Sequence, residues 1–118
     1  LVLTDGITRS ASVITSLRVS TDNGVTFLAA SGDYIAVSTA GVETNATAIG
    51  FFTTSTTAAR SGSLLILAFS NASAPKVALG SSTFPMHIIP TTTALNAIRI
   101  TVSSGTLNAG TIYVYGRT

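Results

Sequence analysis

The chain has 118 residues, a length that fits one domain rather than two, and only 8% of them are charged, against ~25% in an ordinary soluble domain. Its six cations are scattered and its net charge is only +2, which argues against the clustered basic surface that phosphate neutralisation on DNA or RNA needs. No cysteine is present for a disulfide or thiolate site, no apolar run approaches the ~20 residues of a membrane-crossing helix, and 46% apolar content with little charge is the reverse of a disordered composition.

The first residues lack a basic segment leading into an apolar one, so no secretory leader is expected, and a start at Leu1 rather than Met suits a piece of a longer chain. No stretch carries the 3.6-residue apolar period of a helix; alternation and β-branched runs predict strands instead. In residues 12–20, Val13, Leu17 and Val19 share one face and Ser16, Arg18 and Ser20 share the other, with Ile14 breaking the pattern. Asn23-Gly24 supplies the positive φ of a tight hairpin, and residues 25–28 are expected to return beside the first strand. Further strands are expected at 33–38, where Tyr34, Ala36 and Ser38 oppose Ile35 and Val37, and at 47–53. Residues 53–62 are polar and of low complexity, and read as a surface loop within one domain.

Residues 64–69 are apolar on both faces, which suits a strand buried on both sides. Residues 71–75 read as a turn and 76–79 as a short strand ended by Gly80-Ser81-Ser82. Pro85 and Pro90 bracket residues 86–89; proline cannot donate to a ladder, so this piece is expected at a sheet edge or in a loop. Residues 97–103 alternate Ile98, Ile100 and Val102 against Arg99, Thr101 and Ser103. Residues 111–115 are expected to turn Ile112 and Val114 to the core and Tyr113 and Tyr115 outward. Leu17-Arg18-Val19-Ser20 and Ile98-Arg99-Ile100-Thr101 form a faint internal echo. About eight short strands joined by Gly, Asn and Ser turns predict an all-β fold, an antiparallel β-sandwich of jelly-roll type, as a single domain over 1–118.

Two segments carry a resemblance. One is Leu17-Arg18-Val19-Ser20-Thr21-Asp22-Asn23-Gly24-Val25-Thr26-Phe27, followed by Ser31-Gly32-Asp33-Tyr34; the other is Ile98-Arg99-Ile100-Thr101-Val102-Ser103-Ser104-Gly105, followed by Gly110-Thr111-Ile112-Tyr113-Val114-Tyr115-Gly116. In this order they resemble the C-terminal β-sandwich domain of tailed-bacteriophage fibre, spike and minor structural proteins. The Thr- and Ala-rich middle departs from that pattern. The resemblance implies the C-terminal part of a longer virion protein, made in the cytoplasm of a bacterial host. It implies binding rather than catalysis, a homo-oligomer with a trimer expected, and contacts with other virion proteins and a host-surface glycan. Its motifs are structural and transfer no functional residue.

The residues themselves point away from an enzyme. The only acids are Asp5, Asp22, Asp33 and Glu43, and the first strand turn and a strand start account for Asp22 and Asp33. A Ser-His-Asp set would need His87, the lone histidine, and no Gly-x-Ser-x-Gly elbow is present. One histidine without cysteine makes no zinc site, no glycine-rich phosphate loop occurs, and no catalytic residue, metal or cofactor is expected; calcium on Asp22 or Asp33 stays open. Asn45-Ala46-Thr47 and Asn71-Ala72-Ser73 fit the glycosylation pattern, which has no meaning in a bacterial host. Arg60, His87 and Tyr34 are the candidate ligand-binding residues, while Arg18 and Arg99 read as solvated surface. Leu65, Leu67, Tyr113 and Tyr115 are the candidate oligomer interface, because an apolar strand face and an outward tyrosine pair call for cover. Two other readings remain: a capsid-decoration or fibre-base module that binds only virion proteins, and a secreted carbohydrate-binding module. The absence of Trp weighs against the latter.

Overall fold

Alternating side chains build two antiparallel sheets that share one core. The structure is a computed structural model and describes residues 1–11, 13–52, 57–80 and 84–116. Ten strands lie among these residues: β1 (Val2–Arg9), β2 (Thr15–Ser20), β3 (Tyr34–Ser38), β4 (Gly41–Ala46), β5 (Ile49–Phe52), β6 (Arg60–Leu67), β7 (Lys76–Gly80), β8 (Met86–Ile89), β9 (Ala97–Val102) and β10 (Leu107–Val114). The larger sheet has the order β10-β1-β6-β7-β8-β3-β4 and the smaller the order β5-β2-β9. The chain is thus an all-β antiparallel sandwich, with its strands divided seven and three.

The inner face of the larger sheet carries Val2, Ile7, Leu64, Ala78, Ile89 and Tyr34. These pack with Leu17, Val19, Ile49, Phe51 and Phe52 of the smaller sheet. Tyr34 is fully buried; its hydroxyl accepts from the Val19 N–H and donates to the Leu28 carbonyl, both at 3.0 Å. Burial pushes its phenol up to about 12. Lys76 is also buried, and its ammonium donates to the carbonyls of Ala74 at 2.9 Å and Thr91 at 3.1 Å. Arg9 is buried as well, donating to the Val13 carbonyl and the Thr15 hydroxyl. In a chain with so few charges, two of the six cations therefore serve as internal donors.

Several expectations change. Residues 25–28 do not form a returning strand, although Asn23 and Gly24 take the expected positive φ of 60° and 82°. β9 fills one side of β2 along its length, and β5 fills the other as far as Leu17. Past that point only Val19 is open, and Leu28 N–H closes it with one bond of 2.9 Å. β8 is neither edge nor loop: it lies between β7 and β3. Its prolines sit just outside the ladder, so no donor inside it is lost, and the Pro85 carbonyl accepts from Gly80 N–H at 3.0 Å.

The expected loop at 53–62 ends in strand, since Arg60, Ser61 and Gly62 open β6; residues 53–56 lie outside the described residues, as does the expected strand stop at 81–82. Ile112 and Val114 do point to the inner side, opposite Thr4 and Val2, but they stay 39% and 61% exposed. Their strand is the outer edge of the seven-stranded sheet, beyond the reach of three strands. Finally, 64–69 is covered on one face only. Leu64 is buried, while Leu65 and Leu67 face out, and Ala68 leaves the strand with φ 57°.

β1 and β10 bring the two ends of the chain together. Leu1 and Tyr115 exchange main-chain bonds of 2.7 Å in both directions. Gly110 permits the close approach of these strands: with φ 109°, a Cβ there would stand 2.7 Å from the backbone of Gly6 and Ile7.

Candidate functional site

Two surfaces collect the residues of interest. The first is the outer face of the larger sheet. Register places Leu65, Leu79, Met86, Val37 and Val42 in one unbroken row across β6, β7, β8, β3 and β4. The neighbouring row is Leu67, Val77, Ile88 and Ile35. Neither row contains a polar side chain. Strands lie ~4.8 Å apart, so the longer row spans roughly 19 Å of sheet. The same face continues to β1 and β10, where Tyr113 is opposite Leu3 and the Tyr113 and Tyr115 rings stack at 6.4 Å. Leu65, Leu67, Tyr113 and Tyr115 are therefore brought to one face, exposed by 40%, 44%, 45% and 53%. Sequence reading missed their neighbours on β3, β4, β7 and β8, because each short strand alternates acceptably with either face inward.

The second surface is a cleft of about 590 Å³. Ser16 and Arg18 of β2 line it with Thr101 of β9, Glu43 of β4, Thr47 and His87. His87 reaches it from the inner face of the larger sheet, only 2% exposed. Its Nε2 accepts from the Gly50 N–H at 3.4 Å, and the Phe84 ring meets it edge-on at 6.0 Å. Burial holds the imidazole down at about 4, so it is neutral at pH 7 and acts as an acceptor. Arg18 is steered by a 3.2 Å bond from its Nε to the Thr47 carbonyl.

The three candidate binding residues do not converge. Tyr34 is inside the core, with its hydroxyl spent on two backbone groups. His87 lines the cleft but presents almost no surface. Arg60 is exposed at the start of β6, opposite Ile7, and is not part of the cleft. Arg18, read from the sequence as solvated surface, is the arginine that lines the cleft. The signal that could have found it is the internal echo: its two arginine-bearing segments turn out to be neighbouring strands, β2 and β9.

The acids are mostly engaged in local structure. Asp22 accepts from the hydroxyls of Ser20 at 2.6 Å and Thr26 at 2.5 Å and from the Thr26 N–H at 2.9 Å, which lowers its carboxyl to about 2. Asp33 accepts from the Ala30 N–H at 2.7 Å and Asp5 from the Ser61 hydroxyl at 2.9 Å. Among the described residues, no three His, Cys, Asp or Glu side chains gather closely enough to hold a metal ion. No described helix is long and apolar enough to cross a membrane. Comparison of the chain with protein-family models, with curated proteins and with solved structures returns no match.

Proposed function

We propose that the chain is a non-enzymatic structural and binding module of a tailed-bacteriophage virion, a fibre, spike or tail component. It assembles as a homo-oligomer through the outer face of its larger sheet. It binds a host-surface glycan at the cleft that Ser16, Arg18 and Thr101 line beside β2 and β9. A trimer is the favoured form, since symmetric copies multiply weak contacts through effective concentration.

The observation that carries the reading is the pair of apolar rows on the outer face. Contiguous apolar patches larger than a few hundred Å² are rare on monomeric soluble proteins and mark interaction surfaces. The rows also hold no charge of either sign that would select a differently charged partner, so a second copy of the same face suits them. The bacteriophage assignment rests on the two resemblance segments, which take in most of the paired strands β2 and β9 and the second half of β10. Rigid strands with ligand-facing loops and clefts suit the display of a receptor site.

Light scattering on a sizing column at low-micromolar concentration tests this. The parent chain is expected to run as an oligomer, and Leu65→Lys combined with Leu79→Lys as a monomer with unchanged far-UV circular dichroism. Both changes sit on the open face, so neither disturbs the core. A monomeric parent would sink self-association. It would favour the decoration-module reading, in which a different virion protein covers the same rows.

A further inference from the structure

Arg18 on β2 and Arg99 on β9 are direct register partners on the outer face of the smaller sheet. Side chains so placed start ~4.5–5.5 Å apart at Cβ, and like charges there repel. A chain with only six cations has put two of them face to face. Neither has an acidic partner among the described residues. Arg18 Nε is held by the Thr47 carbonyl, and the Arg99 guanidinium lies over the Phe27 ring, 4.2 Å from its centroid. Each head is thus oriented by a neighbour that, among the described residues, leaves most of its N–H donors open.

The next row on the same face is Ser16 opposite Thr101, a hydroxyl pair beside the arginine pair. Arg18, Ser16 and Thr101 all line the cleft, and Arg99 joins them only as the cross-strand neighbour of Arg18. Glu43 also lines the cleft. It offsets part of the positive field, so a single negative charge is a better match than a doubly charged phosphate. A planar guanidinium binds a carboxylate through two parallel N–H bonds.

We propose that Arg18 and Arg99 form a recognition site for the carboxylate of an acidic saccharide, with the Ser16 and Thr101 hydroxyls serving the sugar's own hydroxyls. This rests on the glycan-binding reading above and names its ligand class.

Calorimetric titration and thermal unfolding of the whole chain test it, with galacturonate, galactose and acetate as probes at an ionic strength held constant with sodium chloride. Galacturonate is expected to bind and to raise the unfolding midpoint, while galactose and acetate do much less. Arg18→Gln and Arg99→Gln should each weaken galacturonate binding about tenfold or more. Both variants remove a repulsion on an open face, so their own midpoints at low salt should not fall. Acetate matching galacturonate would overturn the saccharide assignment, and the glycan reading with it, while leaving an anion site. Galactose matching galacturonate, with both variants binding as the parent does, would keep the glycan reading and overturn the arginine pair. No response to either anion would overturn the pair as well.

Discussion

His87 is almost wholly enclosed, yet its ordinary proton affinity lies close to neutrality. The unfolded chain takes up the imidazole proton near pH 6.5, whereas the folded chain resists until about pH 4. Between these values the unfolded state binds more protons, so stability rises with pH across that window and falls as pH is lowered through it. Below about pH 4 the contribution is fully lost and flattens. The span corresponds to roughly 3 kcal/mol at its limit. Denaturant midpoints measured from pH 7 to pH 4 should show this slope. His87→Gln keeps an acceptor for Gly50 but cannot titrate, and should remove it; a slope unchanged in that variant would reject the assignment. Asp22 acts in a lower and separate range, since its carboxyl is held at about 2 in the fold and its stabilising effect is lost only below pH 3.8. The buried role of His87 was not legible in the sequence, and neither was that of Tyr34. Residues 33–38 offer Tyr34 and Ala36 on one face and Ile35 and Val37 on the other, and hydrophobicity favours the wrong pair as the inner one. Both faces of this sheet are apolar, so alternation marks the period of a strand without marking its inside.

Strands differ in how clearly they declare themselves. β2, β7 and β9 alternate and were legible almost to their ends. β4 is polar and exposed along nearly its whole length and has no pattern to read, because an edge strand outside the core needs none. β1 is interrupted by Asp5-Gly6, where Gly6 takes φ 61° at a shift of register, so its two halves do not share one alternation. Proline misled in the opposite direction at β8. Pro85 and Pro90 bracket the strand without entering it, and all four residues between them keep their donors. Hydrogen exchange should separate the cases. The amides of His87 and Ile88 are expected to exchange as slowly as those of Val77 and Ala78 in neighbouring β7, and those facing away from the sheet on β4 and β10 much faster. Fast exchange throughout β8 would contradict its place inside the sheet.

At the scale of the molecule, three strands cannot cover seven. The smaller sheet buries the middle of the larger one and leaves β10 with both faces open. The sequence announced a sandwich through its many short strands, but a strand carries no mark of the sheet it joins. The chain passes between sheets after β1, β2, β4, β5, β8 and β9, and only long-range pairing sets those passages. The candidate surfaces were hidden for the same reason. Leu65 and Leu67 were visible one strand at a time, whereas the apolar rows and the facing arginines exist only once register is fixed.

The bond pair between Leu1 and Tyr115 has a consequence for how this unit is carried. Because entry and exit share one corner, the sandwich is suited to sit as a guest within a loop of a host protein, and its backbone order is open to circular permutation. A short glycine-serine bridge between the present ends, with new ends cut between Ala72 and Ser73 in the exposed β6–β7 turn, should give a chain with the parent's circular dichroism and cooperative unfolding. A permuted chain that fails to fold would mean that β6 and β7 must be joined for the larger sheet to form. One that folds would make connectivity, rather than contact, the dispensable part of the design.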